Sequence, residues 1–151
     1  MLRFTKTGVL FSLITLSVLL LNSGCAINKA QLNRPDLIDK NKKVFIYGHT
    51  DAADINSTVK KNFIRLGFDV IENKNEAKLI VDYNYQCYWD VFHYTCTKFN
   101  MFVTDVMSNE IVFKTKFWAD SPFSASTLIN NMFDKLEKEI DKTTTQKRVT
   151  Q

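Results

Sequence analysis

Residues 8–21 form an unbroken run of 14 uncharged, mostly apolar positions. A helix needs about 20 residues to span a bilayer, so this run is short. It also lacks the 3.6-residue periodicity of a buried amphipathic helix. Beyond it the pattern changes to short alternating blocks. Lys43, Val44, Phe45, Ile46 and Tyr47 predict a strand ended by Gly48. Over residues 51–66, Ile55, Val59, Phe63 and Leu66 recur at helical spacing. Asp51 or Asp54 stands where a helix start wants a cap, and Gly67 stands at the stop. Residues 68–71 predict a second strand, so the three elements predict a βαβ unit with a right-handed crossover.

The longest strand is expected over residues 77–89. Leu79, Val81, Tyr83, Tyr85, Cys87 and Trp89 share one face, while Asp82, Asn84 and Gln86 share the other. A partner strand over residues 94–106 carries Phe99, Met101 and Val103 in alternation. Ser108 and Asn109 predict a tight turn into a strand over residues 111–118, with Val103 opposite Phe113 and Phe99 opposite Phe117. Asp120, Ser121 and Pro122 are expected to break that strand. Residues 125–141 then carry Leu128, Ile129, Met132, Phe133, Leu136 and Ile140 as a broad apolar helical stripe. The fold class expected is α+β, an α/β two-layer arrangement. Its mixed sheet has the order β-α-β-β-β-β-α, with two helices packed on one face.

The hairpin contains a conflict. Its apolar sides agree if Tyr85 pairs with Phe99, Tyr83 with Met101 and Val81 with Val103. Placing Cys87 opposite Cys96 needs a register one residue different, and such a slip reverses every side chain. A bulge near the tip reconciles the two, bringing the sulfurs together for a disulfide.

The start of the chain reads as an export signal. Arg3 and Lys6 precede the apolar run with no acid beside them, and small residues follow it. The sequence Leu21-Asn22-Ser23-Gly24-Cys25-Ala26 resembles a bacterial lipobox, with Asn22 where the family pattern prefers leucine. That resemblance implies a lipoprotein signal peptide over residues 1–24 and palmitate-type acylation of Cys25. With Ala26 rather than aspartate after the cysteine, it also implies sorting to the outer membrane. Cleavage after Ala26 by ordinary signal peptidase is the alternative, and it gives a soluble periplasmic protein. Residues 25–42 are expected to be a polar tether, 43–141 a single domain and 142–151 a frayed tail.

Composition narrows the function classes. The chain has 151 residues, 45% hydrophobic and 24% charged, as expected for one globular domain. Loss of Arg3 and Lys6 with the leader leaves 18 basic against 16 acidic residues, a net charge of +2. A nucleic-acid binder would show far more. Zinc needs four ligands, and beside Cys87 and Cys96 only His49 and His93 are available, so no metal is expected. Ser121, Ser124 and Ser126 lack a glycine-flanked elbow and read as helix capping. Asp82 and Asp90 have no second acid placed beside them, and the four glycines are scattered. No enzyme and no cofactor are therefore expected.

The unusual feature is the aromatic hairpin tip, Tyr88-Trp89-Asp90-Val91-Phe92-His93-Tyr94. Turns are usually Gly, Asn or Asp. One reading makes Tyr88, Trp89, Phe92 and Tyr94 a partner-binding knob. The other, favoured by the alternation, buries Trp89 at the end of the core and leaves Tyr88 and Phe92 exposed. Asp90 and His93 are placed to hydrogen-bond across the tip.

With the lipobox, the βαβ start and the stretch Asp82-Tyr83-Asn84-Tyr85…Trp89-Asp90-Val91-Phe92…Tyr94 in view, the chain resembles the short bacterial lipoproteins of the Sbal group. Their architecture is similar to α/β modules of curli-secretion and penicillin-binding-protein-activator lipoproteins and to the TolB amino-terminal domain. The resemblance implies a non-enzymatic envelope module with a protein partner, held at the membrane by acyl chains on Cys25. A lipid or small-ligand carrier with a pocket lined by Tyr83, Tyr85 and Phe133 is the alternative.

Overall fold

The computed structural model describes residues 26–48, 54–90 and 94–149. Six strands form one mixed sheet: β1 (Ala26–Leu32), β2 (Lys43–Ile46), β3 (Asp69–Val70), β4 (Leu79–Trp89), β5 (Tyr94–Asp105) and β6 (Ile111–Ser124). The helices are α1 (Pro35–Lys40), α2 (Ile55–Arg65) and α3 (Ala125–Val149). The sheet order is β1-β6-β5-β4-β2-β3. Strand β2 runs parallel to both β3 and β4, and the other neighbours are antiparallel. The α+β class and the mixed sheet are as expected from the sequence.

Register places the apolar side chains in rows on one face. One row runs Ile46, Val81, Val103, Phe113 and Leu32; the next runs Tyr83, Met101, Thr115 and Ala30. Against them lie Leu128, Ile129, Met132, Phe133 and Leu136 of α3, all buried, and Ile55, Val59 and Phe63 of α2. Phe63 joins the two layers: its ring centroid lies 5.2 Å from Phe133 and 6.3 Å from Phe113. A buried Asn62 ties α2 to α3, its Nδ2 donating to Asn130 Oδ1 at 2.8 Å.

Gly67 ends α2 as its position suggested. Its φ is +79°, its N–H donates to Ile64 O, and the Phe68 N–H donates to Phe63 O. That pair of bonds is a Schellman motif, and the Phe63–Phe68 ring contact is its usual apolar partner. At the other end Asp54 occupies the cap position at φ +53°, but its side chain makes no capping bond. Instead its carbonyl accepts from Ser57 Oγ and Thr58 N. Asp51, the other cap candidate, lies outside the described residues.

Three boundary expectations need correction. The segment after Cys25, expected to be a tether, is folded: β1 pairs with β6 from Ala26 to Leu32, and α1 follows. Its alternation is weak because Asn28 takes a core-facing position, where its amide donates to Asn131 O of α3. The expected frayed tail is instead the last part of α3, which reaches Val149. Thr143, Thr144 and Thr145 each bond back to the carbonyl four residues earlier. Finally, β6 does not end at Asp120. Pairing with β5 is interrupted between Phe123 and Trp118 and then resumes. Pro122, which has no N–H to donate, sits in that bulge, where its loss of a ladder bond is tolerated.

Asp105 organises the β5–β6 turn. It is buried and accepts from Ser108 N at 2.8 Å, Ser108 Oγ at 2.9 Å and Met107 N at 3.1 Å, while Asn41 Nδ2 donates to it at 2.8 Å from beyond α1. Burial alone would raise its carboxyl, but the Ser108 and Met107 donors, with the Arg34 charge, hold it below its ordinary value. A depressed folded-state value stabilises the fold fully above the unfolded value of about 3.9. That contribution is lost as pH falls through the folded value. Asp105→Asn is therefore expected to cost about 1–2 kcal/mol at neutral pH. It should also make the fall in stability below about pH 4 shallower than in wild type. Urea unfolding over a pH series measures both.

Candidate binding site

The hairpin resolves its conflict as expected. Tyr85 pairs with Phe99, Tyr83 with Met101 and Val81 with Val103; then the register shifts between Gln86 and Cys87, and Cys87 faces Cys96. Thr97 is the extra residue. The two cysteines form a disulfide with their Cα atoms 4.0 Å apart, Cys96 fully buried and Cys87 partly so.

The tip beyond this bond departs from the favoured expectation. Trp89 does not seal the core: it is 67% exposed, and Tyr88 is 48% exposed. The physical reason lies in the helical layer. Along the inner side of β4, Leu79, Val81 and Tyr83 are buried, Tyr85 and Cys87 half-buried and Trp89 exposed. Alternation continues, but the helices no longer cover the strand. The Trp89 ring leans on Tyr94, with centroids 6.3 Å apart. Phe92, His93 and His49 lie outside the described residues, as does Cys25. The structure thus brings Trp89 and Tyr94 together beyond the disulfide, with Tyr88 on the other face of β4 opposite Thr95.

The open face of the sheet carries features the sequence reading passed over. Register aligns Ile27, Trp118 and Lys98 in one row across β1, β6 and β5, and Lys29, Lys116 and Asn100 in the next. These residues line an open groove of about 570 Å³. Asn100 donates to Asn84 Oδ1 at 2.8 Å, which extends the polar row to β4. The signal was present in the alternation of β5 and β6. It became legible only once β1 was known to be a strand beside them.

Of the three serines singled out, Ser124 takes a capping position. Ser124 Oγ accepts from Thr127 N and bonds Thr127 Oγ1 at 2.7 Å, which caps α3. Two of the three residues expected to line a carrier pocket are packed in the core. Tyr83 and Phe133 are 1% and 0% exposed, and Tyr83 stacks on Phe99 at 5.5 Å. Among the described residues no helix is long and apolar enough to cross a membrane.

No family model and no curated protein sequence matches the chain. Solved structures superpose on it at low identity. A PDZ domain protein from Parabacteroides distasonis superposes with TM-score 0.51 at 9% identity, over 72% of this chain and 35% of that one. A DUF4136 family protein from Bacteroides thetaiotaomicron gives 0.49 at 11% identity, over 82% and 96%. The PelC dodecamer from Paraburkholderia phytofirmans gives 0.47 at 14% identity, over 76% and 97%. The likeness to the first of these is one of fold alone.

Proposed function

We propose that the chain is a small envelope lipoprotein of the Sbal kind, anchored through Cys25 on the periplasmic side of the outer membrane. It works as a non-enzymatic module that holds a protein partner. The observation that carries this reading is the tip. Two large aromatic side chains, Tyr88 and Trp89, stand in solvent at a hairpin tip pinned just below by Cys87–Cys96. Exposed Trp and Tyr on a rigid support lose little entropy on binding and dominate contact energies. The packed core beneath them supports a scaffold role over a carrier role.

Site-specific photocrosslinking from position 88 in intact cells tests the reading. One envelope protein should be captured reproducibly. Its affinity for the purified chain should fall at least tenfold with Trp89→Ala, while thermal stability stays unchanged. Binding that is indifferent to Trp89→Ala would refute the tip as the contact. Labelling with radioactive palmitate tests the anchor, and equal incorporation by wild type and Cys25→Ser would remove it.

A further inference from the structure

We infer that the open sheet face is a docking surface for anionic phospholipid headgroups, so that the domain lies with this face on the bilayer. The inference deepens the anchored reading above and rests on it for orientation. Three observations converge on the face. First, Lys29, Lys98 and Lys116 come from three different strands to one groove, and none forms an ion pair among the described residues. Five other surface cations, Arg34, Lys60, Arg65, Lys135 and Lys142, have carboxylate partners, and what distinguishes the three lysines is their convergence on one groove whose lining holds no carboxylate. A cluster of cations held without carboxylates is complementary to a surface of phosphodiesters. Second, Trp118 and Ile27 lie beside those lysines in the same groove, Ile27 40% exposed and Trp118 partly so. An indole with an apolar neighbour and flanking ammonium groups matches the headgroup boundary, where amphipathic rings settle. Third, β1 is paired from Ala26 onward. Cys25 is the preceding residue in the sequence, two positions before Ile27. On the anchored reading, the acyl chain is attached one residue before the strand that supplies Ile27 and Lys29 to the groove.

In this orientation the helices face away from the membrane. The strands lie along it, and the hairpin tip projects sideways from the sheet end.

The test uses the full chain carrying Trp89→Phe, purified from cell envelopes, so that Trp118 is the only indole reporter. It is placed on vesicles of brominated phosphatidylglycerol or brominated phosphatidylcholine. Trp118 emission should be quenched on the anionic vesicles, much less on the neutral ones and much less at high salt. The triple change Lys29→Gln, Lys98→Gln, Lys116→Gln should abolish the difference, with the near-ultraviolet circular dichroism retained as the check on folding. Equal quenching on both lipids, or quenching that survives the triple change, overturns the proposal. So does an emission change that needs only a soluble polyanion and no vesicle. If the purified chain carries no acyl group, the anchor reading fails by itself. The same vesicles then measure partitioning directly, and the triple change should weaken it about a hundredfold; an unchanged partition coefficient overturns the docking face.

Discussion

Replacing Phe63 with alanine is expected to destabilise the domain by about 4 kcal/mol. Phe63 is 0% exposed, and its ring meets Phe68, Phe113 and Phe133, one each from the chain reversal after α2, the sheet and α3. Removing it opens a cavity bounded by three elements that are themselves held by backbone bonds, so little collapse can refill it. The penalty is a large part of the roughly 5–15 kcal/mol that a domain of this kind has available. It should lower the thermal midpoint by roughly 15 °C. Urea unfolding measures the change directly. A loss below about 1.5 kcal/mol would mean that α2 is not fixed to the sheet through this ring, since that is the range of a single-methylene deletion.

The second large effect is expected from the hairpin. Changing Cys87 and Cys96 together to serine removes a closure spanning 9 positions of sequence. The chain-entropy relation gives a loss of about 2.5–3 kcal/mol for a loop of this length. The effect on the tip should be distinct from the effect on the body. Below the bulge, the β4–β5 ladder is buttressed by the core; above it, only the sulfur bridge and the short pairing Tyr88–Thr95 and Trp89–Tyr94 hold the strands. Amide exchange should therefore accelerate first at residues 87–89 and 94–96, before any change at Tyr83 or Met101. Any partner affinity that depends on Trp89 should weaken in the same variant, because the tip must then be ordered during binding. Uniform acceleration throughout the sheet would show instead that the bond stabilises the whole domain and not the tip in particular.

Much of the fold could be read from alternation and punctuation. Wherever a strand was buried on one face and paired with a neighbour of matching polarity, as in β4, β5 and most of β6, register followed from which side chains had to meet. The bulge was legible for the same reason: the sulfurs and the apolar rows demanded different registers. Two kinds of element escaped. In β1, Asn28 takes a core-facing position and Ile27 a solvent-facing one, so a seven-residue edge strand looks like a polar linker. Trp89 failed in the opposite way. Its side of the strand was right, but exposure depends on how far the helices reach, and periodicity carries no information about that. The groove on the open face was hidden by the first effect, since only the β1–β6 pairing brings Lys29 and Ile27 beside Lys98 and Lys116.

The partnership of β1 with β6 also orders events during folding. Ala26 meets Ala119 and Leu32 meets Phe113, so the first of the described strands must wait for nearly the last. Until then the long border of β6 stays unsatisfied, and closing so wide a loop is slow compared with forming the adjacent hairpins. Hairpin first and seam last is the assembly sequence this topology imposes, and the seam is the stage at which a nascent molecule is open to mispairing with its neighbours.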